Sequence, residues 1–220
     1  TFHFGLPPEH VVEQAHRQNI AVGVTATCLR EAQDIARAGA DFVVAQGWEA
    51  GGHRGIFDPS QPDEELPILA LVRSLLDCLS IPIVAAGGMM DGRDIAAVLA
   101  AGATAAQLGT AFLCCDEAGT ARAHREALRE GEEETVFTSA FSGRPARGMR
   151  NTFIDAMADK SVLAFPQQNT LTGALRRWAA SAGDVGFQSV WAGTGRCKIR
   201  SMPAAQLMAT IERELSEAAI

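Results

Sequence analysis

Residues 81–110 read IPIVAAGGMMDGRDIAAVLAAGATAAQLGT. Residues 81–86 are an apolar run of strand length, ended by Gly87-Gly88. Asp91 stands where a helix takes its N-cap, and Ile95, Val98 and Leu99 follow at helical spacing to a stop near Gly102. Residues 105–108 open a second strand, closed by Gly109-Thr110. Strand, helix and strand in about 30 residues make a βαβ unit, whose two strands lie parallel.

Upstream the alternation continues. Residues 20–26 (IAVGVTA) and 41–45 (DFVVA) read as strands. Between them lies a helix carrying Ala32, Ile35 and Ala36, with Thr27 as its expected cap and Gly39 as its stop. Ile68, Leu71, Val72, Leu75 and Leu76 fall at i, i+3, i+4, i+7 and i+8, an amphipathic helix. Residues 9–18 predict a further helix with Val11, Val12 and Ala15 inward, and residues 1–4 a short strand stub ended by Gly5 and Pro7-Pro8. Four complete strands and one partial strand, apolar throughout and separated by helices, imply a parallel sheet covered on both faces. A period of about 20–25 residues suits a (β/α) barrel or a doubly wound sheet.

After Asp116 the pattern changes. Residues 118–130 read as a helix rich in Arg and Glu, 132–134 as a solvated acidic turn, and 135–141 as a short extended piece. Residues 142–150 read as a basic loop, and the stretch to Gly195 as helical in places, with Trp178 and Trp191 in its core. Arg144, Arg147 and Arg150 read most simply as a solvated surface, with closure over an anion as the alternative. Residues 201–219 predict a final helix, with Pro203 in its first turn and Leu207, Ile211 and Leu215 on one face.

The chain of 220 residues is 47% apolar and 20% charged, enough to bury a core. Its net charge of −7 argues against a nucleic-acid partner, which calls for clustered Lys and Arg. No apolar run reaches the ~18 residues of a membrane span, and no secretory signal pattern is present. The five cysteines have neither metal-ligand nor disulfide spacing, so no metal site is expected and a reducing cytoplasm is the expected compartment. The chain opens as though inside a strand, without an initiating Met.

In parallel α/β proteins ligands bind at the carboxyl ends of strands. Here those ends carry Gln46-Gly47-Trp48-Glu49-Ala50-Gly51-Gly52-His53-Arg54-Gly55, then Gly87-Gly88, then Gly109-Thr110. Two consecutive strands ending in glycine, each followed by a helix, offer backbone N–H groups and helix dipoles to one phosphate. Gly51-Gly52 lets the backbone pass close to a flat ligand while His53, a side chain that exchanges protons near neutral pH, points into the site. His3, on the stub, is a second candidate for the same mouth. Met89 and Met90 read as packing, and Glu49 either as a brace for its loop or as an acceptor for a cofactor hydroxyl.

Six segments together carry a family resemblance: FHFG at 2–5, AQGWEAGGHRG at 45–55, AAGGMMDG at 85–92, QLGTAF at 107–112, SGRPARGMRN at 142–151 and WAG at 191–193. The chain resembles the FMN-dependent nitronate monooxygenases, formerly grouped as 2-nitropropane dioxygenases. The resemblance implies the carboxyl-terminal portion, about five strands, of a TIM (β/α)8-type barrel. Residues 1–115 would form that part of the FMN-binding barrel, 116–200 a mainly helical substrate domain, and 201–220 a helix packing back on the barrel. It implies FMN contacts at Gln46, Gly51, Gly52, Gly87, Gly88, Gln107, Leu108, Gly109 and Thr110. His53 would act on a nitronate or nitroalkane beside the flavin, with His3 as a second active-site histidine. O₂ would complete an oxidation to a carbonyl compound and nitrite, and a homodimer is the protein assembly to test. The chain has Thr194 where the family often has Gln after WAG, and it has no Tyr. Two other readings stay open at this point: an FMN-dependent enoyl-thioester reductase using NAD(P)H, and a truncated barrel fragment without catalysis.

Overall fold

The computed structural model describes residues 1–218. In chain order the elements are α1 (Glu9–Arg17), β1 (Gly23–Ala26), α2 (Leu29–Arg37), β2 (Phe42–Gln46), β3 (Gly52–His53), α3 (Ile68–Leu76), β4 (Ile83–Ala86), α4 (Gly92–Ala100) and β5 (Ala105–Gln107). They continue with α5 (Arg122–Glu130), β6 (Thr135–Thr138), β7 (Ala146–Met149), α6 (Thr152–Ala156), α7 (Gln167–Leu171), α8 (Gly173–Ala182) and α9 (Ala204–Ala218). The chain divides into two compact units.

Among the described residues the first unit takes 1–49, 55–108 and 213–218. It holds a parallel sheet in the order β1-β2-β4-β5. The residues of β1 and all but the first of β2 are buried, as strands covered on both faces must be. Val24, Val43 and Ala85 pack with Ile35 of α2 and with Leu71, Val72 and Leu75 of α3, all fully buried. Truncating one such leucine to alanine costs about 2–5 kcal/mol. The stub expected at residues 1–4 is a single parallel bridge, Phe2 to Val24, with Phe2 N donating to Gly23 O (2.9 Å) and Thr25 N to Phe2 O (2.9 Å).

Helix ends explain two details. Asp91 caps α4, its Oδ1 accepting from Asp94 N at 2.9 Å. Thr27, by contrast, does not cap α2. The N-cap is Cys28, and Thr27 turns its hydroxyl to the Glu31 carboxylate instead.

The second unit takes residues 50–54 and 109–212. Its sheet is antiparallel, in the order β3-β7-β6. The segment expected to be mainly helical holds α5 to α8 and, besides them, two strands of this sheet: β6 falls in the piece expected to be extended, while the supposed basic loop is in part strand β7. The cause is local. Arg147 lies over the Phe137 ring, 4.2 Å from its centroid, and its Nη1 donates to Thr135 O at 3.3 Å, so a basic residue pairs across two strands and is buried. Arg144 is buried as well, so neither is a solvated surface charge. Arg150 is exposed, paired with Asp155 at 2.8 Å. Trp178 is 56% exposed rather than core, because α8 turns its neighbour Ala179 inward.

Candidate functional site

In the first unit the strand register lines up one row of residues at the carboxyl end of the sheet. Gln46 pairs with Ala86, and Ala86 pairs with Gln107. Two carboxamide residues thus flank the end of β4, their Cα atoms two strand spacings or about 10 Å apart. The chain leaves Ala86 through Gly87 (φ 111°) and Gly88 (φ 74°), a conformation that side chains rarely adopt. Leu108 follows Gln107 at the same end.

The N-terminus of α4 does not add to this cradle in the way the sequence suggested. Asp94 N donates to Asp91 Oδ1 (2.9 Å), Met90 N to Asp94 Oδ2 (2.9 Å) and Gly92 N to Glu214 Oε2 (3.0 Å). Three carboxylates gather at this helix start, two of them accepting from first-turn amides, and offset the positive end of the helix dipole. Nor does a helix directly follow β5, since Thr110 to Phe112 is only a 3₁₀ turn.

The loop after β2 is braced from several sides. Gln46 Oε1 accepts from Gly55 N at 2.8 Å. Glu49 Oε2 accepts from Ile68 N at 3.0 Å and so supplies the cap that Pro67 cannot give α3, as a brace for its loop would. Glu31, 1% exposed, accepts from Thr27 N (2.7 Å), Thr27 Oγ1 (2.8 Å) and Phe57 N (2.7 Å). Sequence reasoning missed Glu31. Its signal was a Glu three residues after the N-cap position, reaching back as in half of a capping box. His3 Nδ1 lies 3.1 Å from Thr25 Oγ1. Met89 and Met90 are buried.

In the second unit His53 lies on β3, paired with Ala146 of β7. The turn before β7 brings Ser142 to it, with His53 Nε2 2.8 Å from Ser142 Oγ. The Trp191 ring stands edge-on to the imidazole at 5.6 Å and the Phe165 ring at 6.4 Å. Ser142 and Phe165 were not candidates from sequence; the spacing of a loop and a strand says nothing of which side chain returns to the histidine. Gly51 packs backbone to backbone on Ala192-Gly193: a Cβ there would lie 2.5 Å from Ala192 C and 2.9 Å from Ala192 Cα. Gly193 N donates to Thr110 Oγ1 at 3.0 Å. Gly52 has φ 76° and Gly109 φ −115°, and a Cβ on either would meet nothing within 4 Å.

The structure thus brings Gln46, Gly87, Gly88, Gln107 and Leu108 to one end of the first unit's sheet. His53 joins Ser142, Trp191 and Phe165 in the second unit, and Gly51 and Thr110 join the Trp191–Gly193 segment there. Burial pushes the thiols of Cys28, Cys114 and Cys115 up, away from a nucleophile's range. Burial also lowers the pKa of His124, against the opposing effect of its Nε2 contact with Trp191 O at 3.1 Å. Among the described residues no group of three or more His, Cys, Asp or Glu is placed to hold a metal ion, and no helix is long and apolar enough to cross a membrane.

The sequence profile described as nitronate monooxygenase matches residues 1–214. A protein of Paraburkholderia phytofirmans named nitronate monooxygenase is 45% identical over 221 residues, covering 99% of this chain and 60% of the relative. One of the same name from Pseudomonas aeruginosa is 46% identical over 219 residues, covering 98% of this chain and 62% of the relative. Among solved structures, nitroalkane oxidase from Streptomyces ansochromogenes superimposes with a TM-score of 0.94 at 43% identity, over 99% of this chain and 63% of that one. The chain spans about three fifths of the length of the curated relatives it matches.

Proposed function

The chain belongs to the nitronate monooxygenase family, and from that premise we propose that it serves the FMN-dependent oxidation of alkyl nitronates, or of the parent nitroalkanes, by O₂ to a carbonyl compound and nitrite. The parallel sheet is read as an arc of a (β/α)8 barrel, supported by the likeness to the nitroalkane oxidase structure.

The fit of FMN rests on the end of the first unit's sheet. A flavin phosphate needs N–H donors close to the backbone, and the Gly87-Gly88 pair lets it approach the backbone without a Cβ in the way. Gln46 and Gln107 add carboxamides on either side. Gln46 turns its oxygen to Gly55 N, which orients its amide nitrogen as the donor end. These residues suit an anionic tail and a hydrogen-bonding ring, and Leu108 beside them is apolar. When bound, FMN supplies the electron transfer that the side chains cannot.

The chain's own contribution to the chemistry is assigned to His53, and the observation that carries this is its fixed imidazole. Strand pairing sets the backbone, Ser142 Oγ holds Nε2, and Trp191 and Phe165 restrict the ring from the side. Such an imidazole takes the α-proton of a neutral nitroalkane, or, once protonated, orients an anionic nitronate through its second N–H. His3, bonded to Thr25, is proposed as the second active-site histidine.

The test is direct. The purified chain, supplied with FMN, is expected to turn yellow and to release nitrite from an alkyl nitronate in air. A chain that binds FMN, releases no nitrite and is instead reduced rapidly by NAD(P)H in the presence of an enoyl thioester would overturn the assignment.

A further inference from the structure

We propose that Ser142 is a positioning residue for His53: it holds the imidazole proton on Nε2 and so makes Nδ1 the nitrogen at which a proton is taken up or given. The inference deepens the reading of His53 given above and rests on it for its catalytic meaning.

Ser142 is buried, and its Oγ lies 2.8 Å from His53 Nε2, 3.2 Å from Arg144 O and 3.3 Å from Arg144 N. A hydroxyl has one proton and two lone pairs. The amide of Arg144 can only donate, so it takes a lone pair. The carbonyl of Arg144 can only accept, so it takes the proton. One lone pair is left for His53, and Nε2 must then carry a hydrogen. The opposite arrangement spends the proton on Nε2 and leaves Oγ facing the Arg144 carbonyl with lone pair against lone pair. Only the first arrangement makes all three contacts favourable.

The turn that presents Ser142 is fixed independently. Gly143 N donates to Ser139 O at 2.8 Å, and the backbone of residues 163–165 fills the space a Cβ on Gly143 would need. Arg54 N donates to Pro145 O at 2.8 Å, which ties the residue after His53 to the residue after Arg144. The backbones that carry the histidine and the serine are thus tied together, which brings the two side chains within reach of each other.

The chemical consequence follows from the tautomer. A neutral imidazole with its hydrogen on Nε2 is basic at Nδ1. When Nδ1 gains a proton, the Nε2–H to Oγ bond becomes charge-assisted and strengthens. Ser142 therefore favours proton uptake at the opposite side of the ring, through His53, without touching substrate.

The experiment is nitrogen NMR of the full chain labelled with ¹⁵N-histidine, the His53 signals assigned by their loss in His53→Gln. The wild-type ring, in its neutral form, is expected to show a protonated, pyrrole-like Nε2 and a pyridine-like Nδ1. In Ser142→Ala the two shifts are expected to move toward each other as the tautomers mix, and Ser142→Thr, which keeps the hydroxyl, is expected to restore the wild-type pattern. A wild-type proton on Nδ1 would overturn the proposal, and this spectrum decides even if Ser142→Ala does not fold. An unchanged pattern in a folded Ser142→Ala would also overturn it. With FMN bound, nitrite release by Ser142→Ala is expected to fall about tenfold in kcat with little change in KM; a fall confined to KM counts against a positioning role. The predicted wild-type spectrum in a chain that never releases nitrite would sink the proposed function and leave the tautomer assignment standing.

Discussion

Gly51 offers a sharp test of how the histidine strand is built. Its ideal Cβ would lie 2.5 Å from the carbonyl carbon of Ala192 and 2.9 Å from its Cα. Ordinary contact begins near 3.4 Å, so Gly51→Ala demands about 1 Å of movement between two backbone segments, and neither end is a flexible side chain. Overpacking of this kind costs about 1–3 kcal/mol, and the backbone-to-backbone contact places the expected loss at the upper end, about 2–3 kcal/mol. For a chain of this size that is a fall in Tm of about 4–12 °C. Gly109→Ala is the internal control, since Gly109 has an ordinary φ of −115° and open space around the added methyl. Thermal unfolding by circular dichroism is the assay. A Gly51→Ala protein within about 1 °C of Gly109→Ala would refute the claim that the histidine strand and the Trp191–Gly193 segment meet through this glycine.

Three further expectations follow from particular contacts. Gly148→Ala places a Cβ 2.8 Å from Trp191 Cε3 and 2.8 Å from Val190 O, so Trp191 shifts from its position beside His53; altered tryptophan fluorescence is expected together with reduced nitrite release, and an unchanged emission spectrum contradicts this. Glu31→Gln replaces a carboxylate that accepts from three donors with an amide that turns an NH₂ toward at least one of them; a loss of about 2–4 kcal/mol is expected in urea unfolding, and a loss under 1 kcal/mol contradicts the clasp. The depressed pKa of His124 means that the fold prefers its neutral form. Its contribution to stability is complete above the unfolded value of about 6.5 and is lost as pH falls from there toward the folded value, by at most about 1.4 kcal/mol per pH unit. Urea unfolding between pH 7.5 and 5.5 is expected to show this slope, and His124→Asn to reduce it.

Much of the first unit was legible because its signals are periodic and local. The helix Ile68–Leu76 begins and ends where the i, i+3, i+4 spacing does, and Asp91 caps α4 as its position indicates. The strands read slightly long, since residues 20–22 and 81–82 are apolar but precede the ladder. The second unit was less legible because its contacts are distant in sequence. Residues 146–149 looked like a loop through Arg147, Gly148 and the preceding Pro145, yet Arg147 is buried on Phe137 and Gly148 makes room for Trp191. No local pattern encodes such pairings. At the candidate site, the glycine pair at 87–88 and His53 were found as residue types, while their partners were not. Ser142 lies 89 residues from His53 in the chain, and the acidic clamp that offsets the dipole of α4 includes Glu214, 122 residues from Gly92 in sequence.

The central claim is that the imidazole of His53 acts on a nitro compound in a chain that carries FMN. The most direct measurement is steady-state nitrite release by His53→Ala, with FMN content confirmed from the visible spectrum and compared with wild type at equal flavin. The account predicts full flavin retention and a fall in kcat/KM of about 10²–10⁴. Turnover equal to wild type at equal flavin content would contradict it.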